Sequence, residues 1–159
     1  GEIIEDGNTI EENSFIKSRT TFEHTKIASI ADDTILEVDV LNGDPGLFTA
    51  RYAGENATYE ENMTKLLERL DGIKDSNRTA RFRTIISYVD GQDEFYVEGS
   101  MQGRILKTRV GNNGFGYDPI FYSTEFNLSL AEMDSDKKNQ ISHRGLAIKK
   151  FLSKIKKFS

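Results

Sequence analysis

The stretch ARFRTIISYVDGQDEFYVEGSMQGRIL (80–106) predicts a long β-hairpin. Apolar and polar residues alternate through its first half, which is typical of a strand with one buried face. Asp90-Gly91 favours a tight hairpin turn, and the return strand is expected from Glu94 to about Leu106. This hairpin joins two neighbouring strands of the predicted sheet.

Helices are expected on both sides of the hairpin. Residues 9–12 (TIEE) have the form of a capping box, which predicts a helix of about four turns after Thr9. Apolar residues at helical spacing predict a second helix over about 56–70. Two helices follow near the C terminus, one capped by Ser135 and ending at Asn139, the other capped by Ser142. The apolar seam of the last helix is expected to be Ile148, Phe151, Leu152 and Ile155.

One short strand is expected before a pair of acids and another after it. Residues 27–31 (IASIA) are apolar and predict a buried strand that runs into Asp32-Asp33, and a second strand follows around 36–38. Helices and strands therefore alternate along the chain, and the predicted class is α/β to α+β with a mixed sheet. Neither a linker nor a repeat interrupts the pattern, so residues 1–159 are interpreted as one domain.

Composition excludes several classes of protein. The 159 residues include 26 acids, 21 bases and no cysteine, for a net charge of −5. A disulfide scaffold and a cysteine zinc site are excluded, and the acidic balance argues against general nucleic-acid binding. Long apolar runs and a signal-peptide pattern are both missing from the sequence, so we expect no membrane association and a cytoplasmic location.

Asp32 and Asp33 are the sharpest chemical feature of the sequence. Carboxylates at the end of a buried strand lie where α/β sheets often bind their ligands. Successive side chains of an extended chain point in opposite directions, so one acid can face a site while the other fixes the loop. Such a carboxylate can hold Mg²⁺ or activate a water molecule. The alternative is a loop acid that caps backbone amides.

Three other segments carry candidate ligand groups. Glu5 precedes the first helix and Lys17 lies two turns beyond its cap, where the Lys17 ammonium can reach a phosphate, although a solvated lysine is the alternative. The glycine-rich loop 111–119 (GNNGFGYDP) offers an exposed Phe115 on which a base can stack, and Asp118 can accept a hydrogen bond from that base. A turn with buried aromatics is the alternative interpretation.

The segment around Ser142-His143-Arg144, with Lys138 before it, concentrates hydrogen-bond donors at the start of the last helix. Cations are unfavourable at a helix N-terminus, so their presence favours an acceptor ligand, and a cap with surface charges is the alternative. A serine hydrolase is a poor alternative because no Gly-x-Ser-x-Gly motif occurs.

Read together, these segments resemble the inosine triphosphate pyrophosphatase family. The resemblance rests on four blocks in the family's order: EDGNTIEENSFIKS (5–18), ASIADDTILEVDVLNGDPGLFTARYAGE (28–55), GFGYDPIF (114–121) and KKNQISHRGLAIKKFL (137–152). It implies an elongated mixed sheet in two lobes, flanked by helices, with a central cleft. It also implies Mg²⁺-dependent hydrolysis of ITP, dITP or XTP to the monophosphate and pyrophosphate, with Mn²⁺ as another metal, by a homodimer.

The resemblance assigns a role to each matching residue. Asp33 matches the catalytic acid and, with Glu5 and Asp32, the metal ligands. Lys17 and Thr34 match phosphate or substrate contacts. The base-binding residues that it implies are Phe115, Gly116, Tyr117, Asp118, Lys138, Ser142, His143 and Arg144.

Two departures from the family pattern affect these expectations. The family's opening strand and its Thr-Gly-Asn-x-x-Lys phosphate loop have no counterpart here, so we expect a truncated chain with reduced activity. Ile35 stands where the family usually has glycine, and a β-branched residue is strained if that position needs a positive φ. A non-catalytic nucleotide-binding or interaction module is therefore an alternative function, and a pyrophosphatase for modified pyrimidines is a third.

Overall fold

The computed structural model describes residues 3–158, and the side chains of residues 3–157. Within that range the helices are α1 (Ile10–Thr25), α2 (Tyr59–Arg69), α3 (Ser135–Ile141) and α4 (His143–Ile155). The strands are β1 (Ser29–Val38), β2 (Thr79–Val89), β3 (Glu94–Ile105), β4 (Phe121–Ser123) and β5 (Leu128–Ser129). Short 3₁₀ helices lie in the connections, among them Gly46–Arg51 and Asp118–Ile120.

The five strands form one sheet in the order β1-β2-β3-β4-β5. Strand β4 pairs antiparallel with β3 and with β5. Contacts of Thr34 with Thr84 and of Glu37 with Arg81 run in opposite chain directions, so β1 and β2 are antiparallel too. The predicted hairpin is confirmed as β2 and β3. The predicted mixture of helices and strands is also confirmed. The strand pairs β1–β2, β3–β4 and β4–β5 are antiparallel.

The described residues divide into two compact units. Unit 1 contains the chain up to Thr34, Arg83–Ser100 and the chain from His143 onward, and unit 2 contains Ile35–Phe82 and Met101–Ser142. The prediction that residues 1–159 form one domain stays a prediction. No helix among residues 3–158 is long and apolar enough to cross a membrane.

Unit 2 is built around an apolar core that extends from α2 to the end of the sheet. Helix α2 begins with a capping box of Thr58 and Glu61, and it buries Met63 and Leu66. The rings of Phe82 and Phe121 pack with their centroids 4.6 Å apart. Tyr117 of the glycine-rich loop belongs to this core, which anchors the loop to unit 2.

In unit 1, α4 packs on β3 at Gly99. A β-carbon at Gly99 would overlap with the carbonyl oxygen of His143 and would lie 2.5 Å from the amide nitrogen of Ala147. Ala147 is fully buried against Val97, and Phe151 joins the same cluster. The missing side chain of Gly99 therefore determines how close the start of α4 comes to the sheet.

Helix α1 contacts β1 and β2 through small hydroxyl residues. The Ser14 hydroxyl donates to the carbonyl oxygen of Ala31, 3.0 Å away, and lies 2.8 Å from the hydroxyl of Ser87. Ser18 joins the same buried cluster. Because these side chains are short and their polar atoms are paired, α1 can approach the strands closely.

The prediction of two short strands separated by Asp32-Asp33 is wrong. Strand β1 continues through both acids, because cross-strand contacts to β2 keep its backbone extended on either side of them. Ile27, which precedes β1, and Ile30 are exposed rather than buried, and β1 lies at one end of the strand order. Ile35 is buried inside β1, and its φ is not positive, so the expected strain does not arise.

Smaller corrections concern the helix ends. The N-cap of α3 is Asp134 rather than Ser135, and α3 ends at Ile141. Thr9 caps α1 as predicted, but the Glu12 carboxylate accepts from the amide of Asn8 rather than from that of Thr9.

The seam of α4 also differs from the prediction. Ala147, Phe151 and Ile155 face the sheet, whereas Ile148 and Leu152 are about half exposed. The seam follows an i, i+4 spacing because Ala147 sits directly on Gly99.

Candidate active site

The carboxylate of Asp33, in unit 1, lies in an environment that raises its pKa. Asp33 is half-buried in β1, and its Oδ1 accepts a hydrogen bond of 3.0 Å from the Thr34 amide. Burial raises the pKa of Asp33 above its usual value, and the carboxylates of Glu5 and Asp32 raise it further. The ammonium of Lys17 and the Thr34 amide lower the pKa of Asp33, but they do not cancel the effect of burial.

Lys17 joins α1 to this acidic group. Its Nζ lies 3.1 Å from Oε1 of Glu5 and also donates to the backbone carbonyl of Asp32. Both side chains of the Lys17–Glu5 pair are about one-third exposed. The sequence-predicted residues Glu5, Lys17 and Asp33 are therefore brought together in unit 1.

The carboxylate of Asp32, next to Asp33 in the chain, contacts a different helix. Its Oδ2 lies 3.5 Å from Nη2 of Arg144, and the same nitrogen lies 3.5 Å from Oγ1 of Thr34. The Thr34 hydroxyl in turn contacts Thr84. Arg144, which the resemblance assigns to the base, thus lies beside the acids of β1 within unit 1.

The predicted metal ligands can be tested against this geometry. Among residues 3–158, no three acidic or imidazole side chains converge closely enough to hold a metal ion alone. Mg²⁺ typically keeps several waters and takes one or two protein carboxylates together with substrate phosphates. Glu5 and Asp33 offer carboxylate oxygens for such a partial set, because both lie beside Lys17 and the charge of Glu5 acts on Asp33.

In unit 2, the glycine-rich loop closes on the carboxylate of Asp118. Asp118 is buried, with 4 % of its surface exposed, and its Oδ2 accepts from the Phe115 amide, 3.0 Å away. The ammonium of Lys138 forms an ion pair with the same oxygen. Gly114 has a φ of +77°, and a β-carbon there would overlap with Asp118 Oδ2. The turn therefore requires glycine at position 114.

This turn holds Phe115 outward. The Phe115 ring is 53 % exposed, and Nζ of Lys138 lies 4.5 Å from its centroid. Tyr59, at the start of α2, places its ring centroid 6.4 Å away. A rigidly held, exposed aromatic ring with a cation beside it is suited to stacking a flat heterocycle.

The remaining predicted base residues differ in accessibility. Gly116 lies in an open part of the turn. The Tyr117 ring is buried in the core of unit 2, where its hydroxyl donates to the Thr49 carbonyl and burial raises the pKa of the phenol. A contact between Tyr117 and a ligand would therefore come from its backbone. Ser142 and His143, at the junction of α3 and α4, are also buried.

The sequence pattern did not indicate two residues that lie beside the candidate site, Thr84 and Tyr59. Thr84 lies in the alternating first strand of the hairpin, and its hydroxyl contacts Thr34. Tyr59 is an aromatic residue beside Phe115. Nothing in the spacing indicates either contact, because each joins residues at least 50 positions apart in the chain.

Together, the fold and its two residue clusters define a helix-flanked β-sheet protein with a desolvated carboxylate next to a lysine and a separate aromatic turn. A family profile described as the Ham1 family matches residues 1–154, and the chain belongs to this family. The resemblance drawn from the sequence is thereby confirmed.

Individual relatives agree with this assignment. The chain is 49 % identical over 156 residues to a protein of Thermoanaerobacter pseudethanolicus named dITP/XTP pyrophosphatase, with 98 % of this chain and 79 % of the relative covered. A Vibrio vulnificus protein of the same name is 43 % identical over 158 residues, with the same coverage of both chains. The solved structure of the Staphylococcus aureus Ham1 protein has a TM-score of 0.95 at 38 % identity, covering 100 % of this chain and 82 % of that one.

Proposed function

We propose that this chain hydrolyses ITP, dITP and XTP, whose purine bases are non-standard, to the monophosphate and pyrophosphate. We also propose that it requires Mg²⁺, with Mn²⁺ as a substitute. The names of the curated relatives support this substrate class. The observation that carries the proposal is the environment of Asp33, a half-buried carboxylate whose pKa is raised beside Glu5 and Lys17.

In the proposed reaction, water attacks the α-phosphorus and Asp33 accepts the proton that the water loses. The bond between the α-phosphorus and the oxygen that bridges to the β-phosphorus breaks, and pyrophosphate leaves with that oxygen. A carboxylate with a raised pKa is, in its ionised form, a stronger base than an ordinary aspartate. The Thr34 amide holds Asp33 Oδ1 in one orientation, which favours attack from a fixed direction.

The three acids and Lys17 are proposed to offset the negative charge of the triphosphate, the acids through a bound Mg²⁺ and Lys17 directly. Glu5, Asp32 and Asp33 would hold Mg²⁺, which would neutralise charge on the phosphate oxygens. The Lys17 ammonium would bind a phosphate oxygen, and Thr34 would donate a hydrogen bond to the substrate. Glu5 keeps the Lys17 side chain in place until a phosphate replaces this partner.

The cluster of unit 2 is proposed to bind the base. Phe115 would stack on the ring, Asp118 would accept from a ring N–H, and Lys138 would donate to the 6-oxo group of hypoxanthine or xanthine. Adenine carries a 6-amino donor at that position, so Lys138 would face a donor instead of an acceptor, and discrimination of about 10⁴-fold is attainable in such cases. The further proposed base contacts are Gly116, Tyr117, Ser142, His143 and Arg144.

A direct assay tests the proposal. Wild-type protein and Asp33→Asn are incubated with ITP, dITP, XTP and ATP in Mg²⁺, and pyrophosphate and monophosphate are quantified. We expect hydrolysis of the first three substrates by wild type and a loss of about 10²-fold or more in Asp33→Asn. Calorimetry with ITP separates outcomes: binding without hydrolysis favours the non-catalytic module, and neither binding nor hydrolysis refutes both.

The resemblance also supports proposals about assembly and location. We expect a homodimer in the cytoplasm, where nucleoside triphosphates are made. Light scattering after size-exclusion chromatography measures the mass, and a mass of 18.0 kDa for the particle would contradict the dimer.

A further inference from the structure

Thr84 makes a single, enclosed hydrogen bond next to the acids of β1. Its side chain is fully buried in β2, and its Oγ1 lies 2.7 Å from Oγ1 of Thr34 on the neighbouring strand. Within residues 3–158 this is the one hydrogen bond of the Thr84 hydroxyl. Thr34 is only half-buried, so one residue of the pair is partly accessible and the other is enclosed.

Burial determines which hydroxyl donates. A hydroxyl group has one proton to donate and two lone pairs that accept. If Thr34 donated to Thr84, the proton of the enclosed Thr84 hydroxyl would have no acceptor, which is unfavourable in the protein interior. The favourable arrangement is therefore Thr84 as the donor and Thr34 as the acceptor.

A second donor approaches the same oxygen. Nη2 of Arg144 lies 3.5 Å from Thr34 Oγ1, and a guanidinium group can only donate. With Thr84 and Arg144 both donating, the two lone pairs of the Thr34 oxygen are used. The proton of Thr34 is then available for an acceptor that a ligand supplies.

We propose that Thr84 is a positioning residue that turns the Thr34 hydroxyl into a donor for an oxygen atom of the nucleoside triphosphate. This inference rests on the proposed function and extends it to a residue outside the family motifs. Thr34 then has two roles, because its amide orients Asp33 and its hydroxyl binds the substrate. Thr84 orients the Thr34 hydroxyl without contacting the substrate itself.

The test replaces Thr84 by residues of known shape and polarity. Thr84→Val keeps the volume and the strand preference but removes the hydroxyl. We expect the KM for ITP to rise about three- to tenfold, the factor that a neutral hydrogen bond contributes, with kcat changed by less than about twofold. Thr84→Ser restores the hydroxyl and is expected to bring KM back to within about twofold of wild type.

Two comparisons separate positioning from packing. Thr79→Val is the same substitution on the same strand, at an exposed threonine that donates to Asp39, and it should leave KM unchanged. Adding Thr84→Val to Thr34→Val should have no further effect, because the hydroxyl that it orients is gone. Thermal unfolding of each variant checks that the fold is intact.

Binding provides a readout that does not depend on turnover. ITP is titrated into Asp33→Asn with and without Thr84→Val, and weaker binding by about the same factor is expected in the second protein. An active wild type with an unchanged KM in Thr84→Val overturns the inference alone, as do equal losses in Thr84→Val and Thr84→Ser. A wild type that neither binds nor hydrolyses ITP overturns both the inference and the proposed function.

Discussion

The carbonyl group of His143 lies directly over Gly99, so close that a β-carbon at Gly99 would overlap with it. This contact sets the position of the first turn of α4 relative to β3. Arg144 follows in the same turn and reaches Asp32 and Thr34. A glycine in the middle of a strand therefore determines where a candidate ligand-binding guanidinium lies.

Gly99→Ala is expected to move α4 and destabilise the protein. Overpacking of this kind typically costs about 1–3 kcal/mol, and the displaced Arg144 should raise the KM for ITP. Urea denaturation and steady-state kinetics measure the two effects. Ser100→Ala, at the exposed neighbouring position, is the control and should change neither quantity. Unchanged stability and KM in Gly99→Ala would show that α4 shifts freely.

The pH dependence of activity should respond in opposite directions to the two charged neighbours of Asp33. Asp33 must be ionised to accept a proton, so its pKa sets the acid limb of kcat/KM. Lys17 lowers this pKa and Glu5 raises it. Lys17→Met should move the acid limb to higher pH, and Glu5→Gln should move it to lower pH. Shifts in the same direction in both variants would mean that another group controls the limb.

Asp33 should also affect stability as a function of pH. The pKa of Asp33 in the folded state is raised above its usual value, which applies to the unfolded state. At any pH between these two pKa values, the folded state therefore binds more protons than the unfolded state. The free energy of unfolding therefore falls as pH rises through this window. Asp33→Asn should be more stable than wild type above the window and should lose the difference below it. Urea denaturation at several pH values measures this, and a constant difference would contradict it.

Comparing Gly114→Ala with Gly72→Ala separates the steric overlap with Asp118 from the strain of the backbone. Gly114 and Gly72 have nearly the same φ, +77° and +79°, but only a β-carbon at Gly114 meets neighbouring atoms. Gly114→Ala and Gly72→Ala should each lower the free energy of unfolding by about 1–2 kcal/mol through backbone strain. Gly114→Ala should lower it further because Asp118 must move. Chemical denaturation gives the difference, and ITP titration should show weaker binding in Gly114→Ala alone. Equal effects of the two substitutions would disprove the role of the collision.

The ion pair of Lys138 with Asp118 should be strongly coupled. Lys138→Met leaves the enclosed carboxylate of Asp118 without its cation, which typically costs about 3 kcal/mol or more for a buried pair. Asp118→Asn combined with Lys138→Met should recover part of that stability, because no charge is then left buried. Lys137→Met, at the exposed neighbouring lysine, is the control. Additive effects in the double variant would argue against the pairing.

The sequence alone determined the elements whose signals are local. The long hairpin, the cap of α1 at Thr9 and the amphipathic helix α2 all follow from spacing and short-range chemistry. The resemblance across four motifs was also sufficient to identify the family, because the motifs occur in order along nearly the whole chain. These features need no knowledge of which surfaces meet.

Only the tertiary structure decided which residues meet. The exposure of Ile30, the continuity of β1 through the two acids, the position of Arg144 beside Asp32 and the contact of Thr84 with Thr34 all depend on neighbours that are distant in sequence. Burial and charge are properties of a packed environment, so the raised pKa of Asp33 has no counterpart in the linear pattern. The sequence supplies the chemical groups, and packing of the helices on the strands determines their surroundings.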